Sequence, residues 1–220
     1  MKIEILYPEI CTLYGDKGNT MYLQKCLPDA EFVTTGLNEK PLFLRENIDM
    51  VYMCSMSEKS QELVLDRLMQ YKDEIAACMK DGKALFLLVG NSMELLGDYI
   101  KREDGTRVTG LGVVPGMYSV RQAPNRFNTL IKAKFNDMTL IGYTSRFAHT
   151  YGIPEDMTFC KVEIGQGSNP DTMNEGICKN RVIATYIHGP LLIQNPDFVH
   201  YLLKRLDAPM KEIPFEAAMR

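Results

Sequence analysis

The chain has no tryptophan and only three histidines, His149, His188 and His200, among its 220 residues. No histidine is spaced with cysteines or carboxylates as metal ligands are, so no metal site is expected. The six cysteines, Cys11, Cys26, Cys54, Cys78, Cys160 and Cys178, include no C-x-x-C pair. Met1 to Tyr7 reads MKIEILY, a strand pattern without the apolar core of a secretory leader. Scattered thiols without such a leader point to reduced cysteines in a cytoplasm, not to a disulfide framework. No apolar run approaches the roughly 20 residues that span a bilayer, which excludes membrane insertion. Positive charge is not in excess either: 25 Lys and Arg stand against 28 Asp and Glu, for a net charge of -3. Nothing therefore draws the whole protein to nucleic acid. The segment Gly15-Asp16-Lys17-Gly18-Asn19 lacks the G-x-x-x-x-G-K-[ST] spacing of a phosphate cradle, so neither nucleotide hydrolysis nor a cofactor is expected in this chain.

What is present suits a single α/β domain over residues 1–220, with ordinary hydrophobic and charged fractions that exclude disorder. Fourteen methionines fill core gaps or form a partner-binding surface. The organising stretch is Lys83 to Gly97, KALFLLVGNSMELLG. Leu85 to Val89 is an unbroken apolar run, as in a strand buried on both faces of a parallel sheet. Gly90-Asn91-Ser92 permits a sharp turn, and Met93-Glu94-Leu95-Leu96 reads as the first turn of a helix. In α/β enzymes such an elbow presents a nucleophile at a helix N-terminus. Here the turn residue is Gly90, which has no reagent to offer.

Upstream, Ile3 to Tyr7, Glu31 to Thr35 and Met50 to Cys54 read as strands, separated by a helix over Thr20 to Cys26 and followed by one that Ser55 to Ser60 opens and that runs, with a break, to Lys80. Asp16 is placed either to cap the first helix or to serve a site, and Ser55 or Ser57 to cap the second. This order predicts a parallel sheet with right-handed crossovers. Asp98 to Thr109 is polar and turn-rich, with a hairpin at Asp104-Gly105. Met117 to Arg121, Thr129 to Ala133, Thr139 to Tyr143, Phe159 to Ile164 and Asn174 to Cys178 then read as antiparallel strands added at the sheet edge. Arg181 to Ile187 returns to the buried-strand pattern and leads into His188, where an open sheet binds its ligand. Asn195-Pro196-Asp197 starts a last helix, His200 falls on its polar side, and the tail from Pro209 to Arg220 offers few packing residues.

Four loops thus fall at strand ends on one edge: Gly15 to Asn19, Cys54 to Ser57, Gly90 to Ser92 and His188 to Leu192. With Leu13-Tyr14-Gly15-Asp16-Lys17-Gly18-Asn19, Glu94-Leu95-Leu96-Gly97, Gly110-Leu111-Gly112, Asn125-Arg126, Gly142-Tyr143 and Tyr186-Ile187-His188-Gly189-Pro190-Leu191-Leu192, the chain resembles the class I glutamine amidotransferases of the cobyric acid synthase type. Within them it looks most like the glutaminase-subunit group of lipid II isoglutaminyl synthases. The resemblance implies a three-layer, flavodoxin-like fold with a parallel or mixed sheet flanked by helices.

In that family an elbow cysteine attacks the amide of glutamine, a histidine activates it, and N–H donors on a glycine-rich loop hold the oxyanion. The resemblance puts His188 on the family's histidine, Arg126 on an arginine associated with glutamine, and Asp16 on a loop aspartate. It puts Gly90 where the cysteine belongs. Cys54-Ser55-Met56 replaces three glycines of the oxyanion loop, and with Asn91 these residues would surround any bound glutamine. Arg146-Phe147-Ala148-His149-Thr150 stands where the isoglutaminyl synthase group tends to have His-Gly-Gly-Arg-Thr. His149 accordingly replaces that arginine or caps a turn. The implied reading is a pseudoenzyme, unable to hydrolyse glutamine, that serves in cell-wall (peptidoglycan) precursor amidation as a scaffold for a Mur-ligase-like, ATP-using subunit. Two alternatives stand beside it: an active glutaminase delivering ammonia with Cys54, which otherwise is a buried strand-end cysteine, or another residue as nucleophile, and a sensor with glutamine as its ligand.

Overall fold

The computed structural model describes residues 1–209 and 213–219. Its strands are β1 (Lys2–Leu6), β2 (Glu31–Thr35), β3 (Met50–Met53), β4 (Leu85–Val89), β5 (Tyr99–Lys101), β6 (Arg107–Thr109), β7 (Tyr118–Arg121), β8 (Phe127–Phe135), β9 (Met138–Arg146), β10 (Ala148–Tyr151), β11 (Thr158–Ile164), β12 (Asn174–Lys179) and β13 (Val182–Thr185). Nine of them form one sheet in the order β2-β1-β3-β4-β13-β12-β11-β8-β9. From β2 to β13 the pairs are parallel, and from β13 to β9 they are antiparallel. The architecture is α/β, with helices packed against this mixed sheet.

The apolar run of β4 lies at its centre, every residue no more than 1% exposed, between β3 and β13. Because β1, β3, β4 and β13 run the same way, the loops that follow them share one edge of the sheet. The first of those loops leads into a helix over Lys17–Cys26. Glu58–Met69 and Lys72–Asp81 are separate helices, broken at Gln70 and Tyr71. Of the two candidate caps for the former, Ser57 acts: its hydroxyl accepts from Ser60 N–H at 3.1 Å. Pro196 opens the helix Pro196–Arg205, whose buried Phe198, Leu202 and Leu203 cover the sheet.

Several local expectations change. The elbow continues as a 3₁₀ segment, Gly90–Leu96, in place of an α-helical turn. The hairpin expected at Asp104-Gly105 is present, closed where Arg102 N–H donates to Thr106 O at 2.8 Å, and it carries two strands, β5 and β6, in a stretch expected only to be polar and turn-rich. Each has three residues, and of the six only Ile100 is buried, too short an apolar alternation to read as a strand. With β7 and β10 they form a second, four-stranded sheet, ordered β10-β7-β5-β6. Tyr99, Tyr118 and Tyr151 stack across it at 5.1 and 5.4 Å and help to hold its register. His200 is half-buried against Glu216, 3.0 Å from its carboxylate, and not a solvated surface residue. In the tail, residues 210–212 and 220 lie outside the described residues. Ile213 is buried and the Pro214 carbonyl accepts from Tyr22 at 2.7 Å, so this part of the tail packs after all. Among the described residues, no helix is long and apolar enough to cross a membrane.

Candidate active site

The elbow follows from β4 running out of apolar residues at Val89. Gly90 has φ +72°, a left-handed conformation that favours glycine. Its side-chain direction is already taken: a β-carbon there would overlap the Ser55 hydroxyl oxygen and come within 2.6 Å of His188 Cε1. The Ser55 hydroxyl donates to Asp16 Oδ2 at 2.9 Å and lies 3.1 Å from His188 Nδ1. Asp16 Oδ2 is in turn 3.4 Å from the same ring nitrogen. Asp16, Ser55 and His188 are all at most 1% exposed. The structure therefore brings together Asp16, Ser55, Gly90 and His188 in one closed cluster.

Asp16 precedes the first helix but makes no side-chain cap to it; its carboxylate turns instead to Ser55 and His188. The cluster is not a serine-hydrolase triad. There the carboxylate and the hydroxyl take opposite nitrogens of the imidazole, whereas here both crowd Nδ1. His188 Nε2 and Asp16 Oδ1 are buried without a hydrogen-bond partner among the described residues.

The N–H groups of the neighbouring loop are also committed. Ser55 N–H points to Asp16 Oδ2 at 3.4 Å, and Met56 N–H donates to Asn91 Oδ1 at 3.0 Å. Asn91 Nδ2 returns a bond to Met56 O at 2.8 Å, so the amide clamps the loop to the elbow from both sides. Met56 and Met93 are buried at 1% and 0% exposure. Cys54 is buried, its thiol donating to the Cys11 carbonyl at 2.6 Å. Burial first, and then the nearby Asp16 carboxylate, push that thiol well above the ordinary range, the opposite of what a nucleophile needs.

Arg126 is exposed, its guanidinium over the Phe147 ring at 4.5 Å, and is not one of the buried groups. His149 is buried against Phe127 with ring centroids 4.0 Å apart, and it caps no turn through Nδ1, which has no partner among the described residues. Burial, helped by the Arg146 charge, lowers its pKa to about 4. Among the described residues no group of three His, Cys, Asp or Glu could hold a metal ion.

Supporting residues escape a reading of the sequence because nothing in their spacing marks them. Tyr14, at φ +58°, and Tyr143 set their rings 4.8 and 5.6 Å from that of His188. Asn19 donates to Tyr52 Oη at 3.0 Å and accepts from Leu192 N–H at 2.9 Å, which ties the first loop to the His188 loop. Gln61 reaches Asn91 O at 2.7 Å and the fully buried Glu94 at 3.0 Å, bracing the elbow from below. The only available signal was for Tyr14, Asn19, Glu94, Tyr143 and Leu192, which lie inside the segments that carry the family resemblance.

The model of the CobB/CobQ-like glutamine amidotransferase domain matches residues 2–196. The lipid II isoglutaminyl synthase (glutamine-hydrolyzing) subunit GatD of Streptococcus pneumoniae is 26% identical over 207 residues, covering 92% of this chain and 79% of that protein. GatD of Staphylococcus aureus is 27% identical over 207 residues, covering 93% and 83%. Among solved structures, a glutamine amidotransferase superposes with a TM-score of 0.59 at 12% identity, over 93% of this chain and 99% of that one. A glutamine amidotransferase from Thermotoga maritima gives 0.56 at 12% identity, over 95% and 86%. At that identity the two structures speak for the fold alone, and the family rests on the sequence match. The chain, related to GatD over most of its length, belongs to the CobB/CobQ-like glutamine amidotransferase family.

Proposed function

We propose that this protein is a cytoplasmic glutamine-amidotransferase-like subunit that does not hydrolyse glutamine and instead binds and scaffolds a Mur-ligase-like, ATP-using partner that amidates a cell-wall precursor. The observation that carries the reading is the Ser55 hydroxyl, which fills the space a side chain at Gly90 would need. With no thiol at the elbow there is nothing to attack an amide carbon. In a nucleophile–base pair that acts as a unit, losing one member costs on the order of 10⁶ in rate. The committed N–H groups of Ser55 and Met56 support the same reading, since an oxyanion would find no free donor there. The two GatD proteins are named as subunits, which supports an assembly with a partner.

Cys54 is a poor substitute, because its hydrogen is held by the Cys11 carbonyl and its environment opposes the thiolate. A glutamine sensor would require Ser55, Met56 and Asn91 to give way, since the cluster is closed to solvent.

The test is ammonia release from glutamine, measured with the purified protein alone and with the Mur-ligase-like partner. The expected result is no release above the buffer rate, and no covalent adduct on any cysteine after treatment with diazo-oxo-norleucine. Turnover that disappears in His188→Ala would overturn the proposal.

A further inference from the structure

At the outer edge of the large sheet, β8, the start of β9 and the end of β11 leave one face uncovered. Leu130 on β8, Ile141 on β9 and Ile164 on β11 are 76%, 46% and 60% exposed. The register sets them side by side: Ile164 opposes Lys132, Lys132 opposes Ile141, and Leu130 opposes Tyr143. Residues directly opposite one another point to the same face, so these aliphatic side chains form one patch and not scattered exposures. Lys134 and Lys161 are opposed on the same face and extend the patch. Against these three lysines stands Glu163, 3.3 Å from Lys132. A locally cationic, apolar face is unexpected on a chain whose net charge is -3.

The patch runs into a cavity of about 490 Å³ lined by Leu130, Ile131, Ile141, Tyr143, Ile193 and Gln194. That groove abuts the closed cluster, for Tyr143 pairs with His188 through two backbone hydrogen bonds. Two features select its occupant. A second copy of this chain placed symmetrically on the patch would bring lysine onto lysine. A flat bilayer would leave the groove empty, whereas a protein can seat an apolar side chain in it and match the lysines with carboxylates.

We infer that this face docks a protein partner through an acid-rimmed apolar surface, one of whose apolar side chains enters the groove between Tyr143, Leu130 and Ile193. The inference rests on the scaffold reading above, with the Mur-ligase-like protein as that partner.

The experiment measures the affinity of the full chain for the purified Mur-ligase-like protein by calorimetry at low and high salt. Two double variants are compared with the wild type: Leu130→Glu with Ile164→Glu, and Lys132→Glu with Lys134→Glu. All four residues are exposed, so the fold is retained, and thermal melting checks this. Each pair of substitutions is expected to weaken binding by about ten-fold or more, and the lysine pair also to flatten the salt dependence. Unchanged affinity in both variants overturns the inference, as does a wild type that fails to bind the ligase. So does self-association of the chain, or its binding to phosphatidylglycerol vesicles, that the variants abolish while ligase affinity stays constant. Ammonia release distinguishes the two proposals. A chain that hydrolyses glutamine yet loses its ligase in these variants sinks the non-hydrolysing reading and keeps the docking face.

Discussion

The hydroxyl oxygen of Ser55 stands 3.1 Å from Nδ1 of His188, in the space that a β-carbon at Gly90 would enter. Loop and elbow are thus complementary to each other: a side chain at either position excludes one at the other.

It follows that Gly90→Cys alone does not create a glutaminase. The new β-carbon meets Ser55 Oγ and Cβ and the His188 ring, in a backbone conformation already at φ +72°. Overpacking of this kind costs about 1–3 kcal/mol, and left-handed backbone for a non-glycine residue about 1 kcal/mol more. Denaturant titration should show that loss and the ammonia assay no gain. Adding Ser55→Gly should recover at least half of the lost stability by clearing the overlap. A stable, hydrolysing single variant would contradict the geometry.

Asn91→Ala probes the clamp on the neighbouring loop. It removes both the acceptor for Met56 N–H and the donor to Met56 O, leaving two backbone groups without partners in a nearly closed environment. The expected loss is about 1–3 kcal/mol. In hydrogen exchange, the Met56 amide should lose protection while amides of β4 keep theirs. Equal protection in variant and wild type would mean that the clamp is not what holds the loop.

The parallel half of the fold was legible because Leu85 to Val89 and Met50 to Met53 are short apolar runs buried on both faces and bounded by turn residues, and Ile3 to Leu6 departs from that pattern only at the buried Glu4. β5 and β6 were legible only as the hairpin turn at Asp104-Gly105, and β10 was not legible. β5 and β10 each pair with β7 across long stretches of sequence, and the stack of Tyr99, Tyr118 and Tyr151 that joins them has no local signature. In the site, the sequence marked Asp16, Gly90 and His188 one by one. That Ser55 occupies the space beside Gly90 is a contact between residues 35 apart, which only the packing of β3 against β4 creates.

His149 makes stability depend on acid. Its pKa falls from 6.5 in the unfolded chain to about 4 in the folded one, since burial beside Phe127 and the Arg146 charge disfavour the imidazolium. Between those values the unfolded state binds the extra proton. The contribution is therefore complete above about pH 6.5 and is lost as pH falls through 4, to a total of about 3 kcal/mol. The buried Glu94 and Glu175 act in the opposite sense. Burial raises their pKa values, so their contribution is lost as pH rises above the ordinary carboxylate range. The His149 share is isolated by comparing wild type with His149→Gln at pH 7 and pH 4.5. The stability gap between them should narrow in acid, and a gap that stays constant would place the His149 ring in contact with water.

Gly142 is required by proximity, and its substitution tests how β9 holds the His188 loop. A β-carbon there would sit 2.5 Å from the His188 carbonyl oxygen and 2.5 Å from Ile187 Cγ2. The first is backbone and the second belongs to a fully buried side chain, so neither moves aside cheaply. Gly142→Ala must therefore push β9 off the loop and stretch the two bonds between Tyr143 and His188, at 3.3 and 2.8 Å. The expected cost is about 2–3 kcal/mol, a fall in melting temperature of roughly 5–10 °C for a chain of this size. Hydrogen exchange gives the sharper readout, because the Tyr143 and His188 amides should both lose protection while the Ile131 amide on β8 does not. Wild-type melting with both amides still protected would show that β9 and the loop leave more room at Gly142 than a 2.5 Å approach allows.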